Sequence, residues 1–284
     1  MAKLLVIDKC CFQGTSGSRL IEFVREYQVF LPHALAIECL TSDDCDGRKP
    51  LKNPIDLLHR VEALVKAGAY FGRSSVSIHK EEKARRCGVV QFIDKETTQV
   101  IRAGTVALTE DFVRREAEEC RKAFAPLVKL VSDLGRAFVA TIKEKAMSDG
   151  FQEEIRETGK VERFGKWLQV ADRSRNDILQ KWIGSLASDV TEQWYTWQVI
   201  RLWYGWAIEW AGRRANTDDT TLQPDVSNDF YDMEYVASLL RADGLLTGDK
   251  RLVEPLARAA FSEKDVFSSL EEVPESYRCG STNK

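Results

Sequence analysis

The chain of 284 residues carries 41 Lys and Arg against 44 Asp and Glu, a net charge of −3, with 44% apolar and 10% aromatic side chains. Such a chain can bury a core as one large domain or two small ones; a disordered chain and a uniformly basic nucleic-acid coat are excluded, though a local basic patch is not. No apolar run approaches the roughly 20 residues that span a bilayer, and the opening MAKLLVIDKCC lacks a secretory-leader pattern, so a cytoplasmic protein is expected.

Lys3–Ile7 is a short, β-rich apolar run that predicts a buried strand ending at Asp8. The Gly/Ser-rich QGTSGS follows, and Ser18 is placed to cap an amphipathic helix over 19–27 with Leu20, Phe23, Val24 and Tyr27 inward. Pro32 opens a short helix, PHALAIECL, that carries Glu38. SDDCDGRKPLKNP reads as a polar loop, and Asn53-Pro54 opens a helix over 55–67 ending near Gly68. Cys87–Ile93 and Gln99–Ala103, on either side of a polar turn at 94–98, predict a β-hairpin.

From Thr109 the residues Phe112, Glu116, Ala123, Leu127, Leu130, Leu134, Phe138 and Ile142 mark one face of a long helix. Ser148-Asp149-Gly150 interrupts it, and further helices are expected over 151–171, 175–187 and 189–214. All seven Trp lie between Trp167 and Trp210. The segment TEQWYTWQVIRLWYGWAIEWAGRR is apolar on nearly every face, the pattern of a helix central in a bundle. A base-stacking surface and a partner interface are the functional alternatives for it.

After the polar stretch ANTDDTTLQPDVSND come a helix (DMEYVASLLRAD), a short strand (GLLTG), a helix (DKRLVEPLARAAF) and a charged tail expected to fray at its end. The expected fold is therefore α/β, a central parallel sheet flanked by helices. Residues 1–104 and 216–284 form the discontinuous α/β domain, and 105–215 form a helical insertion. The seven cysteines include no C-x-x-C pair, so neither a disulfide framework nor a thiolate zinc site is expected. They read as small buried apolar residues.

The chemistry-bearing pattern is acidic. Asp8 ends the first strand, Asp249 follows GLLTG, and in an open parallel sheet both fall on the carboxyl edge where binding crevices form. Asp232 is expected to open its helix and to face the same edge. Glu38 lies among Leu35, Ala36, Ile37, Cys39 and Leu40, and an acid so placed needs a cation or a strong donor. Converging carboxylates typically hold hard divalent cations through oxygen, and paired ions of this kind activate water against a phosphodiester. Each Asp singly also fits a turn or a helix cap, so the argument lies in the conjunction. With His33, His59 and His79 dispersed, and neither G-x-S-x-G nor a P-loop present, zinc hydrolase, serine hydrolase and NTPase readings lose support.

Three of these segments together resemble the PIN domain, a metal-dependent ribonuclease fold. They are VID near the N-terminus, VFLPHALAIECL, and DMEYVASLLRADGLLTGDKRL, in which Asp232 and Asp249 stand 17 residues apart. The resemblance covers roughly 1–70 and 225–265. It implies that Asp8, Glu38, Asp232 and Asp249 bind Mg²⁺ or Mn²⁺, that Thr247 supports them, and that the chain is an endoribonuclease acting on RNA, with DNA as the alternative substrate. Asp229 is an additional candidate ligand. Lys9-Cys10 stands where the family usually has Thr-Asn, which keeps open a catalytically weak scaffold whose helical block binds RNA or a protein partner, or pairs two copies. A phosphatase of the haloacid dehalogenase type requires a second Asp at the position of Cys10. Lys9, Lys250 and Arg251 adjoin the acids and are candidate phosphate contacts.

Overall fold

The computed structural model describes residues 3–41, 54–105, 108–144, 150, 153, 157–183, 188–214 and 226–279. The expected loop 42–53, the break at Ser148-Asp149 and most of the linker, 215–225, lie outside the described residues.

Five strands form one all-parallel sheet: β1 (Leu4–Ile7), β2 (Gln28–Leu31), β3 (Tyr70–Phe71), β4 (Gly244–Leu246) and β5 (Asp265–Phe267), in the order β3-β2-β1-β4-β5. Leu5, Val6 and Ile7 are wholly buried, because a parallel sheet covered on both faces makes its central strand continuously apolar. Leu5 registers with Val29 on one side and Gly244 on the other. Gly244 must be glycine: a Cβ there would lie 2.7 Å from the Tyr277 hydroxyl and 3.2 Å from Leu5 Cδ1.

Helices α1 (Lys9–Gly14) and α2 (Gly17–Glu26) connect β1 to β2, and α3 (His33–Thr41) and α4 (Pro54–Ala67) connect β2 to β3. The return from β3 to β4 contains α5 (Ser75–Arg85), α6 (Lys95–Arg102), α7 (Glu110–Glu144), α8 (Lys160–Arg173), α9 (Arg175–Ile183), α10 (Tyr195–Arg214) and α11 (Val226–Ser238). Helix α12 (Val253–Ala260) joins β4 to β5. From β1 the chain builds outward through β2 and β3, then returns to the opposite side of β1 for β4 and β5. The connections thus reverse direction between β1 and β4, and at such a switch point the carboxyl ends of the two strands splay to leave a crevice.

Helix α10 packs on α7, α8 and α11, and α11 in turn lies on β1, α3 and α12. The apolar core is accordingly continuous from the sheet to α10. Trp194, Trp197 and Trp203 are no more than 1% exposed and Trp206 is buried, as the all-round apolar pattern predicts. The same helix buries Glu209, which accepts from Arg163 Nη2 (2.9 Å), Arg163 Nε (3.2 Å) and Trp167 Nε1 (3.1 Å). At its N-terminus the buried Glu82 of α5 accepts from the Tyr195 and Thr196 amides at 2.5 and 3.0 Å. An acceptor from a neighbouring helix thereby satisfies two of the amides that a helix start leaves unpaired. Among the described residues no helix is long and apolar enough to cross a membrane.

Several expectations are corrected. Residues 95–102 are helix α6 rather than a hairpin strand: Asp94 caps it, accepting from Thr97 N at 2.8 Å, and Thr98 and Ile101 turn inward at helical spacing. The polar cluster at 94–98 is a helix start, and Ile93 keeps only an isolated bridge to Gly72. Helix α2 begins at Gly17 after Ser16, not after Ser18. Asp232 lies within α11, which starts two turns earlier at Val226, so it is not a helix-opening residue. The tail is pinned as far as Tyr277, which is wholly buried and donates to Asp243 O and Asp265 Oδ2 at 2.9 and 2.8 Å; its end, 280–284, where fraying is expected, lies outside the described residues. Cys11, Cys39 and Cys120 are buried, but Cys10, Cys87 and Cys279 are exposed.

Candidate active site

The crevice between β1 and β4 gathers side chains from four separate segments. Asp8 directly follows β1 and serves as the N-cap of α1, accepting from Cys11 N at 2.8 Å. Its other oxygen accepts from the hydroxyl of Thr247, directly after β4. Thr247 Oγ1 also accepts from Asp249 N at 3.1 Å, so one hydroxyl ties the two strand ends together. Asp249 turns its carboxylate onto the following loop, accepting from Arg251 N (2.7 Å) and Leu252 N (3.1 Å).

Glu38 projects from α3 and is held at both oxygens: Lys9 Nζ lies 3.0 Å from Oε1, and Tyr235 donates its hydroxyl to Oε2 at 2.8 Å. Asp229, Asp232 and Tyr235 recur at three-residue steps on α11, which places them along one side of that helix. Asp229 accepts from Trp206 Nε1 at 2.8 Å and lies 3.5 Å from Arg251 Nη2. Asp232 differs from the others, because its carboxylate has no hydrogen bond or ion pair among the described residues.

The electrostatics follow from this packing. Burial pushes the Asp8 carboxyl up to about 7, against the Cys11 amide and the Thr247 hydroxyl, and Glu38 and Asp249 push it the same way. Burial also drives Asp232 well above the usual carboxylate range, reinforced by Glu38, Asp249, Asp229 and Asp8. Glu38 is raised by burial as well, and Lys9 opposes the rise. The Cys10 thiol is pushed up to about 12, first by partial burial and then by Asp8, Asp249, Asp232 and Glu38. All four acids singled out in the sequence therefore lie within electrostatic reach of this one side chain.

Among the described residues no three His, Cys, Asp or Glu side chains form a ready-made ligand set for an ion. The hydrogen bonds explain the arrangement: Asp8 and Glu38 turn both oxygens toward protein donors. Each carboxylate oxygen has two lone pairs, so these bonds leave acceptor capacity unused. An all-oxygen set with one partly buried carboxylate that has no partner among the described residues fits a hard divalent cation better than a soft one.

The three candidate phosphate contacts separate. Lys9 is committed to Glu38 and Arg251 to Asp229, while Lys250 is exposed and unpaired among the described residues. Tyr235 and Trp206 were missed in the sequence. The three-residue step from Asp232 signals Tyr235, whereas Trp206 is one of several Trp on an apolar helix, with nothing to mark its indole as a donor to an acid. No family model, curated protein or solved structure matches the chain.

Proposed function

We propose that the chain is a Mg²⁺- or Mn²⁺-dependent nuclease that hydrolyses phosphodiester bonds, acting as an endoribonuclease on single-stranded or structured RNA. In this reading the PIN-like α/β part, 1–104 and 216–284, carries the site, and 105–215 is a helical insertion. The observation that carries the proposal is Asp232, a partly buried carboxylate without a donor among the described residues, set among Glu38, Asp249, Asp229 and Asp8. Burying such a charge uncompensated costs several kcal/mol, and an incoming cation removes that cost.

Asp8, Glu38, Asp232 and Asp249 would hold the ion, with Asp229 beside them. Bound there, the cation would supply a Lewis acid that neutralises phosphodiester charge and lowers the pKa of water. Thr247 fixes Asp8 and Asp249 relative to each other, Tyr235 and Lys9 fix Glu38, and Trp206 fixes Asp229. Such bonds hold the oxygens where an ion needs them, as the outer partners of metal ligands generally do.

A second reading, a catalytically weak scaffold that binds RNA or a protein partner, is favoured by the Lys9–Glu38 pair, which already places a cation on one of the four acids. Thermal unfolding separates the two. Under the nuclease reading Mn²⁺ raises the wild-type midpoint, and Asp8→Asn abolishes that rise. An unchanged wild-type midpoint at millimolar Mn²⁺ favours the scaffold.

A further inference from the structure

A cleft of about 360 Å³ opens beside the acidic centre, where the helical block meets the carboxyl edge of β4 and β5. Lys160 and Gly159 reach it from the start of α8, Lys250 from the residue after Asp249, Glu254 and Arg258 from α12, and Ser268 from the end of β5. Its charge is opposite in sign to that of its neighbour. Among the described residues that line it Glu254 is the one acid, and it is paired with Arg258 at 3.0 Å. Lys250 has no ion-pair partner among the described residues, and Lys160 contacts only a carbonyl, Arg251 O at 3.4 Å. Two lysines thus remain uncompensated, one from the start of α8 and one from the loop after β4. Gly159 caps α8 without a side-chain bond, so the first amides of that helix add partial positive charge to the same wall.

We infer that this cleft is a subsite for a backbone phosphate of the RNA, next along the strand from the bond presented to the acids. The inference rests on the nuclease reading and extends it. An acidic centre repels a polyanion, so a substrate strand needs cations beside the acids to be held at all. Lys9 is held by Glu38 and Arg251 reaches Asp229 through one nitrogen at 3.5 Å, so of the cations beside the acids Lys250 and Lys160 are the ones with no acidic partner among the described residues. Because Lys160 belongs to α8, the cleft also gives the helical block a role in holding substrate.

The test is binding without cleavage. Fluorescence anisotropy of a labelled single-stranded RNA of roughly 12 nucleotides, in EDTA, compares the full-length wild type with Lys160→Gln/Lys250→Gln. Lys95→Gln/Lys122→Gln, exposed on α6 and α7, serves as the control of equal charge. The cleft pair should weaken binding roughly tenfold and lower the slope of log Kd against log salt by about 1 to 1.5, while the control pair changes Kd less than about twofold. Equal loss in both pairs, or no measurable binding by wild type, overturns the inference. Cleft-dependent binding by a protein that cleaves nothing would keep the subsite and reject hydrolysis; cleavage with binding indifferent to the cleft would do the reverse.

Discussion

Replacing Glu82 by Gln separates the charge of this side chain from its shape. Glu82 is wholly buried and accepts from the Tyr195 and Thr196 amides at the start of α10. Burial raises its carboxyl from 4.5 to about 7, against the hydrogen bonds from Thr196 and Tyr195 and the charge of Arg241. The folded chain therefore keeps a proton that the unfolded chain has released. Stability from this group is complete below pH 4.5 and is lost as pH rises to 7, at 1.36 kcal/mol per unit, or about 3 kcal/mol in all. Gln matches the protonated acid in size, but its NH2 cannot accept, so one of the two amides loses its acceptor, at a cost of about 1 to 3 kcal/mol. Glu82→Gln should thus be less stable than wild type by about that much near pH 5, and the gap should close by about 3 kcal/mol as pH rises to 8. Urea unfolding followed by Trp fluorescence at several pH values measures the difference, since every Trp lies between 167 and 210. A penalty for Glu82→Gln that is the same at every pH would mean the acid is ionised throughout, and would refute the reasoning.

Gly88→Ala should destabilise by roughly 2 kcal/mol or more, because its Cβ would lie 2.5 Å from Trp194 Cδ1 and 2.6 Å from the Gln193 backbone; a thermal midpoint equal to wild type would contradict this packing. Tyr235→Phe removes the hydroxyl that holds Glu38 and should weaken Mn²⁺ affinity by about tenfold or more with little change in the fold. Calorimetric titration with Mn²⁺ reads that loss, and unchanged affinity would remove Tyr235 from the account.

The sequence signalled the acidic residues better than their settings. Asp8 and Asp249 were legible because Asp8 directly follows one apolar strand and Asp249 stands three residues past another, and strand ends of a parallel sheet share an edge. Strands β3 and β5, with two and three residues, are too short to show an alternation of their own; pairing with their neighbours defines them. The α6 segment was misread because a capping Asp and a turn Asp have the same local chemistry, and Thr-rich KETTQVIR has strand propensity that tertiary packing overrides. Asp232 lies within its helix and not at its start, a difference of about two turns, since VSND reads equally as linker and as first turn. The Lys9–Glu38 pair spans 29 residues and joins different helices, so no local pattern announces it.

The central claim is that the acids at the β1/β4 crevice hold a cation that cleaves RNA. It is tested most directly by incubating single-stranded RNA with wild type and with Asp232→Asn, in Mn²⁺ and in EDTA. The account predicts cleavage by wild type that stops in EDTA and falls by roughly a hundredfold or more in Asp232→Asn. Cleavage that survives EDTA, or that Asp232→Asn carries out at the wild-type rate, would contradict it.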